Sequence, residues 1–325
     1  MLSRICMVGG LALSLASVAC SHEKDGKIKG ESAAVPSPNM PSPDMPGAAI
    51  PEGQRRISFS AEGLQPLGTG FVYEGWLITA SGAEPAGRFA VDEAGAAVPP
   101  SFLIPATVAD GASNYVLTIE PEFEDDPAPS DTHVIAGPIT NGSAMLTVAD
   151  AMALGDDFSG AMGTFFLGTP TSAATDDDNM GIWFLNPPVG DGDPTPSLSL
   201  PTLPAGWVYE GWVVDTSTPG TPVPITTGRF TSASGPDSDA GGPGAGDLPA
   251  PPFPGSDFVA EGYERDLSQN HMAVISIEPE PDDSPAPFQL KPLGVAIANL
   301  VGGANPQTLD NIIEMNTITG RVTIE

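Results

Sequence analysis

The sequence predicts an all-β chain, two tandem antiparallel β-sandwich domains behind a disordered N-terminal tether, on three observations. The octet Phe71-Val72-Tyr73-Glu74-Gly75-Trp76-Leu77-Ile78 returns as Trp207-Val208-Tyr209-Glu210-Gly211-Trp212-Val213-Val214, with Tyr, Glu, Gly and Trp at matched positions. Internal self-similarity of this kind marks a duplicated unit. Short runs rich in Val, Ile, Thr and aromatics alternate with Gly/Pro/Ser punctuation, which is the signature of strands and turns. With 38 Gly and 37 Pro in 325 residues, long helices are disfavoured.

Residues 1–20 read as a secretory signal: Arg4 supplies the charge, Ile5 to Ala19 is apolar, and the stretch is short for a transmembrane helix. Its end, Leu15-Ala16-Ser17-Val18-Ala19-Cys20, resembles a bacterial lipobox, with Ser17 where leucine is commoner. That resemblance implies a lipid on Cys20 and stable membrane anchoring through several acyl chains. It places the protein in the bacterial cell envelope, and Ser21 leans towards the outer membrane, on its periplasmic or surface face. Cys6 and Cys20 are the only cysteines, so no disulfide and no cysteine metal site is available to the body. Residues 21–56, with Pro36-Ser37-Pro38-Asn39-Met40-Pro41-Ser42-Pro43-Asp44-Met45-Pro46, read as an extended Pro-rich tether.

The first repeat, 57–148, opens with Ile57–Ser60 and continues through the first octet and Gly87-Arg88-Phe89. Tyr115–Glu120 follows, then the acidic run Pro121–Pro129, then strands at His133–Gly137 and Ala144–Val148. The second repeat, 197–325, has Leu198–Leu200, the second octet, Gly228-Arg229-Phe230, Val274–Glu278 and the acidic run Pro279–Pro287. Val116-Leu117-Thr118-Ile119 and Val274-Ile275-Ser276-Ile277 alternate identically, predicting one buried and one solvated face. The octets are apolar on both faces apart from one glutamate, as a strand covered on both sides would be. The intervening 149–196 reads as a bridging hairpin of Gly163–Leu167 and Gly181–Leu185, and 231–257 as a long loop.

The pairing of Tyr-Glu-Gly-Trp with a later Ile-Glu-Pro-Glu-x-acid-acid-x-Pro-Ala-Pro resembles the C-terminal extracytoplasmic domain of RskA-type anti-sigma-K factors, here duplicated. The resemblance covers about two-thirds of the chain and implies Ig-like or RskA-like sandwiches. Those regulators carry a cytoplasmic sigma-binding helical domain and a transmembrane helix ahead of this module, where this chain has a lipidation signal and a tether. The expectation is therefore a lipid-anchored, non-catalytic protein that binds or senses through an envelope protein partner. Two alternatives stand beside it: an extracytoplasmic regulator of anti-sigma/sigma signalling, and a calcium- or glycan-binding adhesion module.

The net charge of −30 argues against nucleic acid, whose affinity comes from Lys and Arg displacing counterions. It argues equally against direct binding to an anionic leaflet. Glu74 and Glu210 lie on the strand face of a tryptophan, and Arg88 and Arg229 recur one strand later, so cross-strand ion pairs Glu74–Arg88 and Glu210–Arg229 are expected. The acidic runs supply the best divalent-metal candidates, Glu120, Glu122, Asp125 and Asp126 with Glu278, Glu280, Asp282 and Asp283, because Ca²⁺ takes several hard oxygens. Interleaved prolines spread those carboxylates along the chain, so the expected cofactor set is none, with Ca²⁺ as the alternative. His133 and His271 lack a His-x-x-x-His partner, and no Gly-x-Ser-x-Gly elbow or phosphate-binding loop occurs, so no catalytic residues are assigned.

Overall fold

The computed structural model describes residues 40–44, 47–123, 127–190, 192–281, 284–298 and 306–325. The signal segment, Cys20 and the tether before residue 40 lie outside the described residues, as do Asp125, Asp126, Asp282 and Asp283. The described chain is all-β, with two four-residue helices, and no helix in it is long and apolar enough to cross a membrane.

The first half contains β1 (Ser42–Pro43), β2 (Gln54–Glu62), β3 (Phe71–Thr79), β4 (Gly82–Val91), β5 (Ala97–Val98) and β6 (Ser101–Pro105). Helix α1 (Ala106–Ala109), β7 (Ala112–Pro121), β8 (His133–Pro138) and β9 (Ser143–Thr147) follow. The second half contains β10 (Met162–Leu167), β11 (Gly181–Trp183), β12 (Leu185–Asn186), β13 (Thr195–Pro196), β14 (Leu198–Ser199) and β15 (Trp207–Asp215). Next come β16 (Val223–Phe230), β17 (Gly241–Gly244), β18 (Gly255–Phe258), β19 (His271–Pro279), β20 (Leu293–Ala296) and β21 (Gln307–Asn311). Helix α2 (Ile313–Asn316) and β22 (Thr319–Ile324) end the chain.

The first sheet runs β1-β6-β2-β22-β9-β8-β7-β3-β4-β5, and the second runs β16-β15-β19-β20-β21-β10-β11-β18-β17. Each curls over on itself into two layers. Phe59 of β2 and Phe89 of β4 are far apart along the first sheet, yet their ring centroids are 4.9 Å apart. In the second, a Cβ added to Gly211 of β15 would stand 3.0 Å from the ring of Phe184, which follows β11. One continuous apolar core runs through both sandwiches.

The sheet orders match strand for strand around the octets: β4-β3-β7-β8-β9 corresponds to β16-β15-β19-β20-β21. The next position is filled by β22 in the first sheet and by β10 in the second. So the C-terminal strand closes the first sandwich, paired with β9 on one side and β2 on the other. The 149–196 stretch, expected as a bridge, instead builds β10 and β11 into the second sheet, and the end of the 197–325 stretch belongs to the first. The two crossing segments touch, for Asn311 Nδ2 donates to the carbonyls of Phe158 (2.8 Å) and Ala161 (3.0 Å).

Two further boundaries differ from the sequence reading. Within the stretch read as tether, Ser42–Pro43 pairs with β6, and Asp44 forms a buried ion pair with Arg56. Proline is tolerated there because β1 is an edge strand with no further ladder to feed. The Gly/Pro-rich 231–257 segment is folded rather than a free loop. Its β17 pairs in parallel with β18, and Phe253 and Ala250 pack on Trp183, Leu185 and Phe166.

Candidate functional site

The repeated motif resolves into four separate jobs. Tyr73 and Tyr209 face the core, and each hydroxyl donates to a carbonyl eight residues upstream, Gln65 at 2.9 Å and Pro201 at 2.7 Å. Sandwiches use such tyrosine ties to fix a strand corner. Burial pushes both phenols well above their ordinary range. Gly75 leaves room for the Tyr115 hydroxyl, which a Cβ would strike, and Gly211 does the same for Thr227 Oγ1.

The opposite face of β3 carries Glu74 and Trp76. Arg88 Nε donates to Glu74 Oε2 at 2.7 Å, and Arg229 Nε donates to Glu210 Oε2 at 2.9 Å. The pairing follows from register, since Glu74 lies opposite Arg88 and Glu210 opposite Arg229. Both glutamate side chains are buried, at 1% and 4% exposure. Trp76 packs on Val116, Ala136 and Ala153, so the turn after β9 supplies the second cover that this strand needs.

Each tryptophan also starts a polar relay. Trp76 Nε1 donates to Thr118 Oγ1 (2.9 Å), which donates to Glu120 Oε1 (2.5 Å), which accepts the Ser130 N–H (2.8 Å). In the second repeat Trp212 Nε1 donates to Ser276 Oγ (2.7 Å), which donates to Glu278, which accepts the Phe288 N–H (2.9 Å). The Thr/Ser-x-Glu-Pro signature is thus a staple that fastens each acidic turn to its sandwich.

Of the expected metal ligands, Glu120 and Glu278 are buried and turned inward on these relays. Glu122 is exposed, and its N–H donates to the Gly70 carbonyl at 2.7 Å. Glu280 lies 3.7 Å from Arg229. Among the described residues no group of three or more His, Cys, Asp or Glu side chains converges as a metal site. His133 and His271 each spend Nδ1 on a backbone carbonyl, of Met152 and Gln269, both at 2.7 Å.

Between the repeats, Trp207 Nε1 donates to the His133 carbonyl at 3.1 Å, and its ring lies 5.8 Å from that of Phe288. Beside them, Leu67, Phe71, Ile119, Pro279, Pro281 and Phe288 line a cleft of about 40 Å³. That is room for about one water, far below the roughly 300 Å³ or more of a small-molecule site.

Two acid sites, one fully buried and one half-buried, had no distinguishing sequence signal. Asp257 is fully buried and accepts the Thr171 N–H (2.9 Å), the Thr171 hydroxyl and Trp183 Nε1 (2.7 Å). Burial pushes its carboxyl upward against those donors. Asp237 accepts N–H groups from Asp239 (3.3 Å), Ala240 (3.0 Å) and Gly255 (2.8 Å), and burial together with the charge of Asp237 pushes the Asp239 carboxyl up. Comparison with protein-family models, with curated proteins and with solved structures gave no match.

Proposed function

We propose that this is a lipid-anchored protein of the bacterial cell envelope that works without catalysis, binding or sensing through protein contacts made by its two acidic turns. The observation that carries the reading is the staple beneath each turn. Glu120 and Glu278 spend buried carboxylates on the N–H groups of Ser130 and Phe288, which follow the two acidic runs, while Glu122 and Glu280 remain at the surface and Phe123 is 84% exposed. Ordering a loop costs conformational entropy, so a turn whose ends are already tied loses less on association than a free one. An exposed aromatic within an acidic rim suits a basic protein surface with an apolar pocket.

Anchoring rests on the lipobox-like Leu15–Cys20, and descent from an RskA-like module on the paired motifs. Fractionation together with mass analysis of the mature N-terminus tests the anchor. Diacyl or triacyl mass on Cys20, and release from membranes on Cys20→Ser, would support it; an unmodified Cys20 in a soluble fraction would sink it. Capture from solubilised envelopes tests the binding. A retained protein should be lost on Glu122→Lys with Glu280→Lys while the fold is kept, and equal retention by that variant would remove the acidic turns from the account.

A further inference from the structure

We propose that the outer face of β2, β22 and β9 is a self-complementary contact surface, through which two copies of this chain pair around a two-fold axis. Strand register sets two rows of side chains across these strands, Ser60–Arg321–Met145 and Glu62–Thr319–Thr147. All six are exposed, while the intervening Phe59, Val322 and Leu146 point into the core. To either side the same face is covered. Ala136, beside Thr147, packs with Ala153 of the turn after β9, and Arg56, further along β2, is buried against Asp44. Between these covers lies a shallow hollow of about 420 Å³, lined by Arg321, Glu62 and a 65% exposed Met145.

Arg321 marks this face out. Every other Arg or Lys among the described residues is engaged: Arg55, Arg56, Arg88, Arg229 and Arg265 each pair with a carboxylate, and Lys291 Nζ donates to the Phe288 carbonyl. Among the described residues the Arg321 side chain makes no ion pair or hydrogen bond, and neither does that of Glu62, its diagonal neighbour on β2. The two rows carry one acid and one base, in a chain of 41 acidic and 11 basic residues. Two copies can therefore meet here without setting acid against acid, and at about 0.15 M salt their other charges are screened beyond about 8 Å. A second copy is the partner that these two free charges fit. Ser60, Glu62, Thr319 and Arg321 form a quadrilateral with Arg321 and Glu62 on one diagonal. A two-fold axis lying in the face along the other diagonal sets each Arg321 on the partner's Glu62, and each Ser60 beside the partner's Ser60. Arg and Met are the side chains enriched at such contacts. The strip is much smaller than the roughly 20–30 residues a side of a stable interface, so the pairing belongs to the weak, transient class.

Sedimentation equilibrium of the full-length chain carrying Cys6→Ser and Cys20→Ser, at about 0.15 M salt, should show a reversible dimer with a dissociation constant below about 1 mM. Arg321→Glu or Glu62→Arg alone should weaken it about ten-fold or more, and the two together should bring it back to the parent value. Both positions are exposed, so the variants should fold as the parent does. Ser60→Cys in the same background should give a disulfide-linked dimer on mild oxidation, and adding Arg321→Glu should abolish it. A monomer at every concentration, a dimer that the single reversals leave unchanged, or a double variant no tighter than either single would overturn the contact. So would the absence of a Ser60→Cys disulfide, which reads the surface with both charges in place.

Discussion

Replacing Arg88 with alanine removes the guanidinium that faces Glu74 across β3 and β4. Glu74 is 1% exposed in its side chain, so the carboxylate left behind cannot move to water without opening the sheet. Breaking a buried ion pair from one side costs about 3–5 kcal/mol. Arg88 keeps 19% of its side-chain exposure, so water already reaches one end of the pair, and the lower figure, about 3 kcal/mol, applies. In a chain of this size that lowers the melting temperature by about 6–12 °C. Glu74→Gln leaves its charge on Arg88, which water reaches at one end, and should cost less, about 1–2 kcal/mol. A double-mutant cycle isolates the pair, and its coupling should fall within about 0.5–3 kcal/mol. Melting of Arg88→Ala within about 1 °C of the parent, or strictly additive losses, would refute the buried-pair reasoning. Arg229→Ala should cost less than Arg88→Ala, because Arg229 is 27% exposed and Glu210 also accepts the Thr226 hydroxyl.

Thr118→Val keeps the shape but severs the relay from Trp76 to Glu120; a loss of about 1–3 kcal/mol in chemical denaturation is expected, with faster exchange of the Ser130 amide. Glu120→Gln should destabilise measurably, whereas Glu122→Gln should stay within about 0.5 kcal/mol, because only the first carboxylate is buried. Deleting residues 319–325 leaves β2 and β9 without the strand between them. The first sandwich should then unfold at lower denaturant than the second, and a peptide spanning 317–325 added in trans should restore it.

The octet was legible as a strand because it recurs in both copies and is apolar on both faces apart from one glutamate. The arginines opposite the two glutamates were legible because a Gly-Arg-Phe run follows each octet, its arginine 14 residues after Glu74 and 19 after Glu210. Closure by β22 was not legible. Thr319–Ile324 alternates in the same way whichever sheet receives it, and the choice is made by the crossover through α2, a long-range contact that periodicity does not encode. The folded 231–257 segment was hidden by its composition. Its order comes from Asp237, Asp257 and Phe253, which sit among Gly and Pro that read as loop. The tether boundary slipped because Pro43 reads as a breaker, while the partner that fixes Asp44 is Arg56, twelve residues on. Glu120, Glu122, Glu278 and Glu280 read as one class of carboxylate, though burial turns Glu120 and Glu278 inward and leaves Glu122 and Glu280 outside.

The most direct measurement is photo-crosslinking in intact cells from an unnatural side chain at position 123, an exposed residue of the first acidic run. Discrete crosslinking to an envelope protein, lost when Cys20→Ser prevents anchoring, is the expected result. Absence of any crosslink, or the same products with and without Cys20, would contradict a tethered binder acting through that turn.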